Sequence, residues 1–384
     1  MNPLESTARL LLRAAMALFV VTIVIGILNG MDIWDPGHNV LLTHVHAGTL
    51  GWITLAMVGV ALLMFGGGAD QKAIEGAQRM GLATVVVTTI YVIAFATGTG
   101  IFRPIAGTLM LLAIVWVLAW VWGRYTASAR TTAQLAMLLT MVSLTIGAVL
   151  GVRLGLFIAN GTLPGLSTEM AANLGAAHPA AMLIGYLILA GVAVTDWILE
   201  GPEGRSGRAV AWILFAAGIV MNVAFIFNLD VLIQVGSLLE VIAIVMFIVR
   251  MWSKITPSAW QGGAAADFAR MSVVFLAVGI ALLVYLVQLF VSGTLNPETG
   301  EGSVGVLLGF DHSMFVGVMT NALFAVVAGF GAIRSYALVM WSVNVGLAGF
   351  LLGLVLDVAI LKRISAPIMG VALLAGIAVC VRQL

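Results

Sequence analysis

Residues 41 to 65 read L-L-T-H-V-H-A-G-T-L-G-W-I-T-L-A-M-V-G-V-A-L-L-M-F, with no lysine, arginine, aspartate or glutamate among them. At about 1.5 Å per residue, such a run is long enough as a helix to cross the roughly 30 Å hydrocarbon core of a bilayer. It nevertheless contains two imidazoles, His44 and His46. Titratable side chains inside a span are costly unless they are paired, buried in a bundle or bound to a ligand. Two positions apart on a helix is a rotation of about 200°, so the rings face nearly opposite sides. They cannot easily share one mononuclear metal, but they can serve two sites, one on each side of the helix.

The rest of the chain has the same character. Its 384 residues are 62% hydrophobic and 9% charged, with a mean hydropathy of +1.15, the composition of a polytopic membrane protein embedded in a lipid bilayer. Apolar runs place spans at 14 to 30, 41 to 65, 80 to 98, 105 to 122, 133 to 159 and 175 to 198, and then at 209 to 228, 230 to 250, 270 to 292, 304 to 330, 336 to 360 and 365 to 381. The first lacks a cleavage-site pattern and is followed by further spans, so it reads as retained. The longest connections, 66 to 79, 160 to 174, 251 to 269 and 293 to 303, are short and rich in small residues, which makes residues 1–384 one all-α membrane domain.

Charge then orients the chain. The connections on the side of the N-terminus carry thirteen lysines and arginines, Arg334 among them, against three on the other side: Arg103, Lys362 and Arg363. Arg153 falls inside the fifth span. By the positive-inside rule both termini are cytoplasmic, in the cell membrane, and His38, Glu169 and Glu298 face outward. A net charge of +1 with no basic run leaves no footprint for nucleic acid. With Cys380 as the one cysteine, disulfides, cysteine zinc sites, iron–sulfur clusters and C-x-x-C-H heme attachment are excluded. Histidine remains the main soft-metal ligand, and there are five.

An internal period links them. His178 lies 132 residues after His46 and 134 before His312, so spans two, six and ten each carry one, four spans apart. This spacing predicts repeat units of approximately 1–130, 131–265 and 266–384 in a pseudo-threefold, three-by-four bundle. Glycines refine the register. His44 and His178 each precede a glycine, Gly51 and Gly185, by seven positions, and an aromatic, Trp52 or Tyr186, follows that glycine. His46 and His312 precede Gly51 and Gly317 by five.

Neutral imidazoles from different helices, an apolar slot and cations near the surface suit a b-type heme. His44, His46, His178 and His312 are the candidate ligands, with Arg103 and Arg153 as candidate propionate partners and Lys362 and Arg363 behind them. Each has a plainer reading beside it. Arg153 can ion-pair with Glu240 or Asp357, and Pro179 makes His178 a candidate helix-start residue. His312 can form a polar pair with Asp311, while His38, in P-G-H-N, reads as a solvated turn. Glu240, Asp357, Asp311 and Asp196 suit either a proton path or the pairing of arginines. Met182 and Met314 suit either packing or axial ligation.

The segment from His44 to Trp52, H-V-H-A-G-T-L-G-W, resembles the H-x-H-[SA]-G-x-L-G-W of the tenth helix in the catalytic subunit of C-family heme-copper oxidases, whose superfamily includes the nitric oxide reductases. In that family the first histidine holds the high-spin heme and the second the low-spin heme. The resemblance implies a twelve-helix heme-copper oxidase-like bundle with one or two b hemes. There are departures. H-x-H stands here in span two and the lone histidine in span ten, the reverse of the family. The span from Ala209 to Asn228 has no histidine pair for copper or iron, and Met182 stands where the family has a tyrosine.

The expectation is therefore a heme-binding protein of electron transfer or of nitric oxide or oxygen handling, and not a proton-pumping oxygen reductase. Copper, an oxidoreductase activity, a quinol or cytochrome redox partner and a homo-oligomer stay open. A transporter of a small solute, heme or metal, using intramembrane histidines, is the alternative. Because His46 and His312 share one register, the expected pairings are His46 with His312 on one heme and His44 with His178 at the second site.

Overall fold

The structure is a computed structural model that describes residues 2–98, 100–260, 263–294, 304–331 and 336–384. Glu298 and Arg334 lie outside the described residues. The chain is 85% helix, with no strand among the described residues. Among the described residues twelve helices are long and apolar enough to cross a membrane: α1 (Glu5–Gly30), α2 (His38–Phe65), α3 (Gln71–Thr97), α4 (Phe102–Thr126), α5 (Thr132–Asn160), α6 (Thr168–Ile198), α7 (Arg205–Phe227), α8 (Asp230–Ile255), α9 (Ala264–Val291), α10 (Val304–Ala328), α11 (Tyr336–Val355) and α12 (Ala359–Cys380). This is a multi-pass membrane protein, and every span expected from hydropathy is found. Most helices outrun their expected limits: α1 begins at Glu5 instead of 14, because charge ends an apolar window without ending backbone hydrogen bonding. Helix starts follow local chemistry. Asp70 Oδ1 accepts from Ala73 N–H at 2.7 Å to cap α3, and Thr131 and Gln134 form a capping box on α5.

Burial separates three helices from the others. In the most apolar windows of α2, α6 and α10, 94%, 83% and 83% of residues are buried, against 33–61% elsewhere. A helix apolar all round belongs inside, whereas the outer helices turn side chains such as Leu112, Val249 and Val345 outward. Each central helix also widens into a π-helical segment: Ala47–Thr54 in α2, Ala181–Leu187 in α6 and Ser313–Thr320 in α10. These start directly after His46 and His312 and three residues after His178. In α6, Pro179 removes a backbone donor just ahead of the segment, a cause for the local loosening.

The π segments are where the central helices meet. Trp52 Nε1 donates to Thr320 Oγ1 at 3.1 Å, and the hydroxyls of Thr54 and Tyr186 share a bond of 3.1 Å. Gly191 of α6 lies hard against Val318 of α10, where a β-carbon would overlap it. The aromatics following Gly51 and Gly185 thus tie α2 to α10 and α6.

The chain ends come together on one face. Arg9 Nη1 donates to the carbonyls of Gln383 at 2.7 Å and Leu384 at 3.2 Å. Buried ion pairs brace the same face, Arg250 with Asp196 at 2.5 Å and Arg270 with Asp267 at 2.6 Å. Asp196 therefore takes the arginine-pairing role of the two read for it.

Candidate functional site

All five histidines sit on the central helices near the end opposite the chain termini: His38 is the exposed first residue of α2, where a turn was expected, and the rings of the other four are fixed in one way. His44 Nδ1 lies 3.0 Å from the Thr22 carbonyl oxygen on α1, and His178 Nδ1 lies 2.9 Å from the Gly147 carbonyl oxygen on α5. His46 and His312 use carbonyls of their own helices four residues back, Leu42 at 2.8 Å and Leu308 at 2.7 Å. A carbonyl oxygen only accepts, so each Nδ1 carries the hydrogen and each Nε2 keeps its lone pair. No Nε2 makes a hydrogen bond among the described residues. All four residues are half-buried. An Nδ1–H held by a carbonyl, with Nε2 left free, is how the rings of metal-bound imidazoles are commonly oriented.

The histidines divide as the glycine register divides them. His44 and His178 reach across to a neighbouring helix, whereas His46 and His312 bond within their own. Glycine makes room for the first class. A β-carbon at Gly26 would lie 3.1 Å from His44 Cε1, and one at Gly151 would lie 2.7 Å from His178 Cε1. In both cases the glycine stands four residues beyond the accepting carbonyl, Thr22 or Gly147. The third pair of helices repeats the device without a histidine: Ser313 Oγ donates to the Phe275 carbonyl at 3.0 Å, and Gly279, four residues on, meets the Met314 methyl. Met314 and Met182, which packs on Gly147, thus play the packing role.

The residues around the four rings group them differently from the expected pairings. Gly26, against His44, is one turn from Gly30, a β-carbon at which would lie 3.5 Å from Phe350, and the Phe350 ring meets His312 edge-on at 5.0 Å. On the other side His46 stacks on Phe95 at 3.8 Å and leans on Tyr91 at 5.6 Å. Tyr91 and Val152 both approach Gly107, and Gly151 beside Val152 faces His178. The first site lies among α1, α2, α10 and α11, the second among α2 to α6.

Cations stand near both sites. Arg103, in the first turn of α4, acts electrostatically on His46. Its Nη2 donates to Asn39 Oδ1 at 2.8 Å and to the Phe95 carbonyl at 3.1 Å, its guanidinium lies over the Phe95 ring, and its Nε is buried without a partner. Arg153, two residues past Gly151, points about 200° away from it. It pairs with neither Glu240 nor Asp357 among the described residues. The Glu240 carboxylate oxygens are buried without hydrogen bonds, as is Asn222 Oδ1. At the first site Lys362 Nζ and Arg363 Nε donate to the two oxygens of Asp32 at 2.7 and 2.8 Å, and these bonds hold the Asp32 carboxyl below its ordinary range. A cavity of about 430 Å³ opens beside Leu308, Asp357 and Lys362.

Among the described residues no three His, Cys, Asp or Glu side chains converge. Sequence reasoning passed over Thr22, Gly26, Phe95, Gly147, Gly151 and Phe350. One signal was legible: glycines four apart at 26 and 30 and at 147 and 151, the spacing that lets membrane helices approach closely. Comparison with protein-family models and with curated proteins finds no match to this chain.

Proposed function

We propose that this protein is a heme b-binding membrane protein related to the heme-copper oxidases, with two bis-histidine sites, His44 with His312 and His46 with His178, that carry electrons. The observation behind this reading is that a carbonyl holds Nδ1 of four half-buried intramembrane imidazoles while no hydrogen bond engages Nε2 among the described residues. The residues fit the group on a second count. The orphaned Nε of Arg103 is a buried donor without an acceptor, and a heme propionate supplies one. A bound heme would contribute one-electron exchange at iron.

The chain's own residues do the remainder. Gly26 and Gly151 admit the His44 and His178 rings, Phe95 and Phe350 wall the gaps, and Arg103 offers a carboxylate anchor. A heme held by both imidazoles of a pair would exchange electrons and would not handle nitric oxide or oxygen. The repeated carbonyl-and-glycine device at Thr22/Gly26, Gly147/Gly151 and Phe275/Gly279 supports a pseudo-threefold bundle. The charge asymmetry of the loops supports cytoplasmic termini in the cell membrane, which reporter fusions at each end test.

The deciding measurement is the optical spectrum of the purified protein. A Soret band with a sharp α band on reduction, and pyridine hemochrome of the b type, is expected. A colourless protein from heme-replete cells would sink the reading and leave the transporter alternative.

A further inference from the structure

Glu240 stands in the middle of α8 at 0% exposure, and neither of its carboxylate oxygens has a hydrogen-bond partner among the described residues. The charges on the elements packed around it are remote or engaged. On α8 itself Asp230 and Arg250 are each ten positions away, about 15 Å of helical rise, Arg250 is paired with Asp196, and Lys254 is farther still. α7 carries Arg205 and Arg208 in its first turn, and α9 carries Asp267 and Arg270, bonded to each other near its start, and the exposed Tyr285. Among the described residues no three His, Cys, Asp or Glu side chains gather to hold a metal ion. An unpaired buried ion costs several kcal/mol, so the carboxylate charge needs a counter-charge, and the one that needs no further ligands is a proton.

A polar track leads to it. Asp230, Gln234, Ser237 and Glu240 follow at steps of four, three and three along an otherwise apolar stretch, so they share one face of α8. Gln234 and Ser237 line a crevice of about 190 Å³ between α8 and α9, together with Val241 and Leu283. The buried Ser237 hydroxyl donates to the Ile233 carbonyl at 2.9 Å and touches Met221 Sδ of α7 at 4.0 Å, so it stands where the crevice meets the seam between α7 and α8. Met221 also packs on Gly236, which sets Asn222 of α7 level with Val235, and Asn222 Oδ1 is a second buried acceptor without a partner. Buried polar groups without partners call for an explanation, and a proton path supplies one for both. Independently of the heme reading, we infer that Glu240 is a proton-binding site reached along Gln234 and Ser237 from the face opposite the chain termini. The step is an acid–base exchange: one carboxylate oxygen forms an O–H bond with a proton given up by water on that face, the site passes from one negative charge to none, and nothing is oxidised or reduced.

The test is labelling of the full-length protein in oriented proteoliposomes with dicyclohexylcarbodiimide, an apolar reagent that adds to protonated carboxyls within membranes, read residue by residue by peptide mass spectrometry. Glu240 should be labelled, and its rate should fall about tenfold per pH unit once the carboxyl titrates. Because the reagent crosses the bilayer, sidedness comes from the pH on each side: the rate should follow the pH at the face opposite the chain termini and ignore the other. S237V and Q234L should delay the response to a pH jump at that face. E240Q should lose the label and still melt with wild type, since an amide replaces a neutral acid of the same shape. The inference is overturned if Glu240 stays unlabelled at every pH, if its rate follows the pH on the side of the chain termini, or if S237V and Q234L respond as fast as wild type. Protection by sodium at constant pH would assign the site to that ion instead of a proton, and an E240Q protein melting far below wild type would show a charged carboxylate with a structural partner; either result overturns it. Heme content enters none of these readouts, so the heme reading stands or falls separately.

Discussion

Gly151 faces the His178 ring so closely that a β-carbon on it would lie 2.7 Å from Cε1 and 3.0 Å from Nδ1. The ring is held by the Gly147 carbonyl, one turn back on the same helix, and has little freedom to retreat. Gly151→Ala should therefore displace the imidazole from its gap. Overpacking of this kind costs about 1–3 kcal/mol, and the spectral component tied to His178 should fall with it. Gly26→Ala, where the approach to His44 is 3.1 Å, should be milder. Thermal unfolding in detergent and heme content per chain measure both effects, and a G151A protein with unchanged heme and stability would show that the ring yields freely.

The pairing of the histidines makes a sharper prediction. His44→Ala and His312→Ala should remove the same spectral component, and His46→Ala and His178→Ala should remove the other. Reduced-minus-oxidised spectra of the four variants decide it. If H46A and H312A remove one component together, the facing rings are those of shared register and the arrangement described above is wrong.

The bonds between central helices should contribute modestly. Tyr186→Phe removes the hydroxyl shared with Thr54, and Trp52→Phe removes the donor to Thr320. Membrane hydrogen bonds of this kind average about 0.6 kcal/mol, up to about 1.7. Each variant should unfold at slightly lower denaturant in mixed micelles while keeping its heme content, since neither group touches an imidazole. Loss of heme in Y186F would mean that the π segments set ring position directly.

Asp32 should give the protein an acid-side dependence of a defined sign. Its carboxyl is held below the ordinary carboxylate range in the folded chain by the bonds from Lys362 and Arg363. A depressed carboxylate stabilises the fold at pH above its unfolded value and loses that contribution as pH falls through the folded one. Wild type should therefore melt above D32N by a constant margin across the neutral range, with the margin closing only in acid, as the pH falls below the ordinary carboxylate range. A margin that closes near neutrality would assign the effect to some other group.

Much of this molecule was determined by the sequence alone. Twelve apolar runs became twelve helices, because crossing hydrocarbon with every backbone group satisfied leaves a helix as the local solution. The opposite aim of His44 and His46 followed from helical rotation alone, and their two hydrogen-bond classes matched the spacings to Gly51, Gly185 and Gly317. Those features depend on one helix at a time. The tertiary structure decided which side chains surround each ring, where Arg103 and Arg153 point, that Asp32 engages Lys362 and Arg363, and that π turns join Trp52 to Thr320. Such relations depend on the rotation and depth of one helix against another. Those are set by the packing of small residues such as Gly26, Gly151 and Gly191 against side chains more than a dozen positions away, which no local window contains.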